Sequence, residues 1–321
     1  MDPFIRHAYA LHARRPLRDA EEAARLLRDP EPAWVHLQAD DPRSGEWIAR
    51  HLDYLPPTVR AALTAAATRP RLARVEGGVL LILRGLNTNP GAEPEDMVSL
   101  RMWIEPARVV TLSVRELATV RELADETEAG QGPEDAGALL AFVAGRLTAK
   151  LSAYADGLDE EGDALERTVL AGADAALGPR ISDIRGEVVD LRQFLAPQRD
   201  ALSRLHAAPP AFLREADAMG LREALEEAER ALEVVGSLHD RLVVLKDELA
   251  AARDERLNRN LYRLSVISAV FLPLGVLTGL MGINLAGMPG ANWEPAFWVF
   301  TALMVAIALG QLVLLRWLRW L

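Results

Sequence analysis

The 321-residue chain contains no cysteine and only two lysines. The absence of cysteine excludes disulfides and thiolate metal sites, and it is compatible with a soluble part that folds in the cytoplasm. Neither Lys150 nor Lys246 follows a glycine-rich loop, so the sequence has no phosphate-binding loop and gives no sign of coupling to ATP. The six histidines show no HxxxH or HExxH spacing, so no zinc-ligand motif is readable and any resident metal ligands stay unknown.

Basic residues are fewer than acidic residues in this chain. The chain has 36 Lys and Arg against 46 Asp and Glu, a net charge of −10. This balance argues against nucleic-acid binding, which requires a basic surface, and suits a surface that attracts cations. No nucleophile, base and metal-ligand constellation is present, so the sequence predicts a protein that is not an enzyme and that needs no cofactor.

Two long stretches lack charge altogether. Residues 264–282 and 296–315 contain no Asp, Glu, Lys or Arg, and each is long enough to cross about 30 Å of hydrocarbon at about 1.5 Å per residue. We predict transmembrane helices at about 262–282 and 296–315. Arginines flank the inner ends, whereas the loop between the spans holds one acid, Glu294, and no base, which places both termini in the cytoplasm. The flanking arginines are Arg253, Arg256, Arg259, Arg263, Arg316 and Arg319.

One face of the first span is small and polar. Its residues recur at alternating spacings of three and four, which places them on one side of a continuous helix. These stripe residues are Asn258, Leu261, Ser265, Ser268, Leu272, Gly275, Gly279 and Gly282. Either Gly275 and Gly279 permit close helix packing, or several copies surround an axis and the stripe lines a narrow path constricted at Leu261 and Leu272. The second span is apolar all round, as an outer helix should be.

The soluble part is predicted to be an α+β domain, a mixed sheet flanked by helices, followed by a very long stalk helix. The predicted strands are 34–37, 71–76, 79–86, 97–104 and 108–114. Helices are predicted from Ser44, the expected N-cap, and at 58–67, 115–128, 134–171, 179–207 and 211–281. We divide the chain into an α/β domain (1–132), a helical region with the stalk (133–260) and the membrane hairpin (261–321).

Apolar residues of the stalk keep the spacing of a coiled-coil seam. The seam residues are Leu221, Leu225, Ala228, Leu232, Val235, His239 and Leu242. A helix this long extends beyond the core of one chain, and two spans cannot enclose a path by themselves. The sequence therefore predicts a homo-oligomer.

The tripeptide Gly282-Ile283-Asn284, at the outer end of the first span, resembles the Gly-Met-Asn signature of the CorA family of divalent-cation channels. The strings at 271–273, 277–280 and 285–290 are more similar to the zinc-transporting ZntB branch of that family. The likeness extends to 68–71 and 194–200, so it covers nearly the whole chain. Ile283 stands where the magnesium channels have Met, which favours the zinc branch.

The resemblance implies a homopentamer in the bacterial inner membrane that transports Zn²⁺, with Mg²⁺, Co²⁺, Ni²⁺ and Cd²⁺ as alternative ions. It implies that Asn284 forms an outer ring that selects hydrated cations; a helix C-cap is the structural alternative. Glu294 either concentrates cations at this mouth or is a solvated loop charge. Arg316 and Arg319 either ring the inner mouth or only anchor the topology.

Two further interpretations stay open. One is a Mg²⁺/Co²⁺ channel of the CorA type, and the other is a membrane-anchored coiled-coil interaction or sensor protein, which would not need the polar stripe. The family's acidic metal sensors have two candidate runs here, although a solvated helix face is the favoured interpretation of both. The runs are Asp156, Asp159, Glu160, Glu161 and Asp163, and Glu223, Glu226, Glu227 and Glu229.

Overall fold

The computed structural model describes residues 2–75, 77–172, 175–283 and 293–317. The chain forms two units, Met1–Lys246 and Asp247–Leu321, and the boundary falls inside its longest helix. The helices that follow residue 133 pack on the sheet formed by the residues before it. The division of the chain at 132/133 and 260/261 stays a prediction.

A seven-stranded mixed sheet organises the first unit, in the order β2-β1-β3-β7-β6-β5-β4. The strands are β1 (Ile5–Ala10), β2 (Arg15–Pro16), β3 (Ala33–Gln38), β4 (Arg71–Val75), β5 (Gly78–Gly85), β6 (Val98–Glu105) and β7 (Arg108–Ser113). Only β3 and β7 pair in parallel, and the other neighbours are antiparallel. The mixed sheet is confirmed, and the five predicted strands correspond to β3–β7.

Strands β1 and β2 are absent from the prediction. The pairing of β1 with β3 shifts register between Ile5 and His7, so the buried positions of β1 do not alternate strictly. Because a strand is recognised from sequence by its two-residue period, a bulge of this kind hides it. Strand β2 contains two residues, which is too few to show a period.

The hairpin of β4 and β5 depends on two glycines. Gly77 has φ of +86°, in the left-handed region that favours glycine. At Gly78, a Cβ atom would lie 2.5 Å from Cζ2 of Trp103, so the indole of β6 requires glycine there. The predicted Gly-Gly turn is therefore confirmed at Gly77, with Gly78 serving close packing instead.

Helices cover both faces of this sheet, and the last of them continues into the second unit. They are α1 (Ala20–Leu26), α2 (Pro42–His51), α3 (Pro57–Thr64), α4 (Ala118–Glu128), α5 (Ala136–Gly172), α6 (Gly178–Ala207) and α7 (Glu215–Met281), with a 3₁₀ turn at Ala175–Leu177. The prediction of Ser44 as N-cap of α2 is wrong. The cap is Asp41, whose carboxylate accepts from the Arg43 amide, while Ser44 is buried and donates to the Gln38 carbonyl at 2.6 Å.

Each face of the sheet carries its own core. Helices α1–α3 cover one face, where Trp103 is fully buried, and α4–α7 cover the other, where Trp34 is fully buried. The stalk seam enters this second core through Leu221, Leu225 and Ala228. Further along α7, a Cβ on Gly162 of α5 would clash with Leu238, so these helices are in close contact. Part of the seam is therefore covered by the chain's own helices, while Leu232 and His239 are half-buried in the single chain.

The second unit comprises the C-terminal part of α7 and helix α8 (Ala296–Trp317). Among the described residues, three helices, α5, α7 and α8, are long and apolar enough to cross a membrane. Half of the apolar window of α5 is buried within the protein, whereas only 6% of the windows in α7 and α8 is buried. Because α5 uses its apolar side in the soluble core, α7 and α8 remain as the candidate membrane hairpin.

Candidate functional site

The predicted stripe lies on one helix and is fully open in the single chain. All eight of its residues belong to α7 or to the turn that ends it, and every one is exposed. Leu261 and Leu272, the predicted narrow points, are 53% and 72% exposed. The continuous helix places these residues on one face, as the three-four spacing predicts, and in the single chain this face is exposed. Its role as the wall of a path stays a prediction.

A second line of residues on α7 is covered instead. Val266 is buried, and Val270, Leu274 and Leu277 are half-buried, while their neighbours along the helix are exposed. Helix α8 shows a matching line of reduced exposure. That line consists of Phe300, Met304, Ile307, Gln311 and Leu315. These are the spacings of one helix face, so the two lines indicate where α7 and α8 pack against each other.

The matching lines also indicate the level at which residues meet. Val266 and Leu315 are the two buried residues of this unit among those the structure describes, which pairs the inner ends of the helices. In antiparallel helices of equal rise, Gln311 then lies at the level of Val270. Gln311 interrupts the apolar surface of α8, and its Oε1 is buried without a hydrogen-bond partner among the described residues.

The stripe and the packing line lie on opposite sides of α7. Successive residues of an α-helix are rotated by about 100°, and on that basis the centres of the two lines are separated by roughly 180°. A Cβ atom added to Gly275 or Gly279 would meet nothing within 4 Å. These glycines therefore do not serve the packing of α7 on α8, and the small-residue face is left for other copies or for a path.

The stripe offers only neutral oxygen atoms. Asn258, Ser265 and Ser268 supply side-chain oxygens, and the two spans contain no Asp, Glu, His or Cys. Divalent cations lose their water only to several strong oxygen or nitrogen ligands. This surface can form hydrogen bonds to a hydrated ion, but it has no groups that could replace the ion's water shell.

The outer mouth is described only in part. Helix α7 ends at Met281, and the Gly282 amide donates to the carbonyls of Thr278 and Gly279 at 3.0 and 3.1 Å. Ile283 follows and is 47% exposed. Asn284 lies outside the described residues, so its entrance-ring and C-cap roles both remain predictions. Glu294 is exposed just before α8, which is compatible with both of its predicted roles.

At the inner end, Arg316 is exposed next to Leu315, whereas Arg319 lies outside the described residues. The acidic run on α5 is occupied by ion pairs with arginines. Asp159 and Asp163 pair with Arg241 of α7, and Glu161 pairs with Arg180 of α6 at 2.6 Å. The described residues contain no group of three or more potential ligands that could hold a metal. These contacts support the structural interpretation of that run.

Sequence reasoning missed Arg84, which links the two family-like strings of the soluble unit. Its guanidinium donates to the Thr68 carbonyl at 2.7 Å and stacks on the Phe194 ring at 3.9 Å, while its backbone amide donates to Gln198 at 2.7 Å. Burial, reinforced by Arg69, lowers the pKa of Arg84. A single arginine in a strand shows no spacing pattern, and the only available signal was the likeness at 68–71 and 194–200.

Arg84 also borders a polar cleft of about 430 Å³ between the sheet and α6. Its lining residues carry charges of both signs. They include Asn87, Glu95, Asp96, Arg115, Asp190 and Gln193. The Arg84 guanidinium donates to the carbonyls of Thr68 and Met97 and stacks on the Phe194 ring. We therefore interpret this region as a structural link between the sheet and α6.

Comparison with known proteins gives consistent results. Residues 30–317 match the family model described as CorA-like Mg²⁺ transporter protein. The chain is 37% identical over 299 residues to the divalent cation transporter CmaX of Pseudomonas aeruginosa, covering 92% of this chain and 89% of that protein. It is 32% identical over 320 residues to the zinc transport protein ZntB of Pectobacterium atrosepticum, covering 98% and 95%.

A solved structure is similar over the same extent. The structure of the full-length CmaX protein superimposes with a TM-score of 0.85 at 34% sequence identity, covering 100% of this chain and 99% of that one. The similarity therefore includes the soluble sheet, the long helices and the C-terminal hairpin segments alike.

Proposed function

Because this chain belongs to the CorA family and is a divalent-cation transporter of the CorA/ZntB type, we propose that it carries Zn²⁺ across the inner membrane through a homopentameric pore. The wall of the pore is the stripe of α7, and Asn284 forms the ring at its outer mouth. Both termini lie in the cytoplasm, because the arginines flank the inner ends of the spans.

One observation carries this proposal. The face of α7 opposite α8 is small, polar and uncovered. An isolated anchor hairpin in lipid would gain nothing from such a face, whereas copies arranged with α7 inside and α8 outside would turn it toward a common axis. The two spans of one chain cannot enclose a path alone, so several chains must do so together. The resemblance to the CorA family supplies the number of chains, which is five.

The ion is proposed from two considerations. The ZntB relative is named for zinc transport and the CmaX relative for divalent cations in general, and Ile283 departs from the Gly-Met-Asn signature of the magnesium channels. The family model is named for Mg²⁺, which keeps a Mg²⁺/Co²⁺ channel as the second candidate. Ni²⁺ and Cd²⁺ are further ions that such a pore would be expected to admit.

The chemistry of the stripe defines how the ion moves. With no carboxylate, imidazole or thiolate in the spans, a divalent ion keeps its water and passes Ser265 and Ser268 as a hydrated species, while Leu261 and Leu272 form apolar constrictions that can close by dewetting. A membrane potential of 100 mV supplies about 4.6 kcal/mol for a divalent ion, at about 2.3 kcal/mol per charge. The spans contain no titratable group that would relay protons.

The test is uptake by liposomes containing the purified full-length protein. Zn²⁺ and Mg²⁺ influx would be measured with an imposed potential, with an imposed proton gradient and with neither. Asn284→Ala is expected to reduce Zn²⁺ influx at least about tenfold, because the ring selects the hydrated ion. Asn292→Ala, in the same loop but outside the tripeptide, is the matched control. Mg²⁺ influx in preference to Zn²⁺ would favour the second candidate, and no influx through folded, oligomeric protein would favour the membrane-anchored interaction protein.

A further inference from the structure

Three arginines line a groove on α7 directly before the first span. Arg256, Arg259 and Arg263, with Asn260, border an open volume of about 390 Å³. No carboxylate occurs anywhere between residues 256 and 263. The nearest acid in the sequence is Glu255, which pairs with Arg259 at 3.5 Å, and both partners are more than 60% exposed. Residues 255–263 therefore contain three basic side chains and one acidic side chain.

The groove lies on the side of α7 that faces away from the stripe. At about 100° per residue, the three arginines occupy a sector about 60° wide that is centred close to the line of Val266 and Val270. The stripe is on nearly the opposite side of the helix. Three positive charges directed at a cation path would oppose entry of a divalent ion, whereas on this side of the helix they lie farther from the path and repel the ion less.

The depth of the groove matches a layer of phosphate groups. The uncharged span begins at Leu264, directly after Arg263. At about 1.5 Å per residue, Arg259 is about 6 Å and Arg256 about 10 Å further from the hydrocarbon. Each headgroup layer of a bilayer is about 5–8 Å thick. The exposed rings of Tyr262 and Trp317 flank this level, as interfacial aromatic side chains do.

The chemistry of the groove selects an anion with several oxygen atoms. Guanidinium groups present paired N–H donors that match a phosphate, and basic clusters on the cytoplasmic side of membrane helices attract anionic lipids. We propose that this groove binds the phosphate group of an anionic phospholipid of the inner leaflet. The proposal rests on the orientation of the hairpin given above, and it is independent of which ion the protein carries.

The proposal is tested with the full-length oligomer purified in a neutral detergent. Its thermal unfolding would be followed during titration with phosphatidylglycerol, with phosphatidylcholine and with inorganic phosphate. Phosphatidylglycerol is expected to raise the unfolding temperature, and the other two are expected to have little effect. An equal effect of inorganic phosphate would reassign the groove to a free anion, and an equal effect of phosphatidylcholine would exclude recognition of the anionic headgroup; either result overturns the proposal.

The variant R256Q/R259Q/R263Q removes the three charges. Its apparent affinity for phosphatidylglycerol should be roughly tenfold to a hundredfold weaker than that of the unaltered protein. The matched control is R192Q/R222Q/R230Q, which changes the net charge equally at exposed arginines of the first unit and should leave the affinity unchanged. An unchanged affinity in the first variant would refute the proposal.

A milder substitution covers the case in which the triple variant does not assemble. R259Q alone should weaken phosphatidylglycerol binding several-fold, and R256K/R259K/R263K, which keeps the charges, should retain most of it. Equal binding by R259Q and R192Q would again contradict the proposal. Ion influx measured on the same preparations separates this result from a failure of the transport function, because lipid binding does not depend on ion selectivity.

Discussion

Helix α7 contains two regions that use apolar side chains in opposite ways. In the first unit one side of the helix is hidden, with Val235, Leu238 and Leu242 fully buried. In the second unit its large apolar side chains point outward, and Leu264 and Phe271 are 61% and 68% exposed. One helix thus changes from a water-soluble pattern to a membrane pattern along its length.

The comparison shows which residues carry information in each region. In water, apolar residues mark the buried side, because burial is the main source of stability. In lipid, apolar residues are the default on every exposed side, so the small and polar residues mark the functional side. The same three-four spacing therefore identifies a core face before residue 246 and a candidate path after it.

The largest effect is expected from a substitution that places a bulky side chain on the stripe of α7. Gly279→Leu places a large side chain on the uncovered face of α7 and should reduce Zn²⁺ influx into liposomes at least about tenfold, because the path is narrow. Gly310→Leu is the control. Gly310 lies on α8, about 100° around the helix from the centre of its packing line, with nothing within 4 Å of an added Cβ, so the influx through this variant should stay within about twofold of the original.

The oligomeric state of both variants distinguishes the two interpretations of the stripe. If Gly279→Leu remains an oligomer of unchanged mass by light scattering but loses influx, the glycine lines a path. If the oligomer dissociates, Gly275 and Gly279 serve packing between copies instead. Unchanged influx and unchanged mass together would show that the stripe has neither role.

A second substitution compares the leucines of the two regions directly. Leu242→Ala removes a fully buried side chain and should lower the free energy of unfolding by about 2–5 kcal/mol, the usual cost of a cavity in a core. Leu261→Ala, at a position that is 53% exposed, should change it by less than about 1 kcal/mol and should increase ion influx by widening a constriction. Urea unfolding followed by tryptophan fluorescence measures the first effect. Equal destabilisation by the two substitutions would contradict the comparison.

The two units should also differ in their response to pH. His36 is fully buried, and its ring nitrogens contact the hydroxyls of Thr111 and Ser113 at 2.9 and 3.2 Å. Burial, reinforced by His7 and Arg6, holds the pKa of His36 well below its usual value of 6.5. Below pH 6.5 the unfolded chain therefore binds a proton that the folded chain does not, so stability should fall as the pH decreases, by at most about 1.4 kcal/mol per pH unit for this group.

Urea unfolding between pH 8 and pH 5.5 measures this effect in the full-length protein. His36→Gln should flatten the pH dependence, whereas His12→Gln, at an exposed position, should leave it unchanged. Residues 261–321 contain no histidine, so unfolding of the membrane hairpin should contribute little to this pH dependence. The same slope in all three proteins would show that His36 does not determine the pH dependence.

Helices and strands whose apolar residues repeat with a regular period were predicted from the sequence. Elements without such a period were missed. The long helices and strands β3–β7 repeat their apolar residues regularly, so they were recognised. Strand β1 is interrupted by a register shift, and the N-cap of α2 depends on whether Asp41 or Ser44 is free to accept from a backbone amide. That choice is made by packing, since Ser44 is buried and donates to the Gln38 carbonyl.

The candidate path was likewise predictable only in part. The spacing of Ser265, Ser268 and Gly279 placed them on one side of a helix without showing what that side faces. Only the burial of Val266 and Leu315 reveals which side α8 covers. The role of Arg84 could not be predicted from a local pattern, because its partners Thr68 and Phe194 are far apart in the sequence.

The smallest expected effect concerns the outer mouth. Glu294 is exposed beside the proposed entrance, and a carboxylate there raises the local concentration of cations. Glu294→Gln should lower Zn²⁺ influx about twofold to threefold at low ionic strength. The loss should disappear near 1 M salt, where the screening length falls to about 3 Å. Glu229→Gln, an exposed acid in the soluble half of α7, should have no effect at either salt concentration. Equal influx through Glu294→Gln and the unaltered protein at low salt would make Glu294 an ordinary solvated charge, because an electrostatic contribution to entry must be largest where screening is weakest.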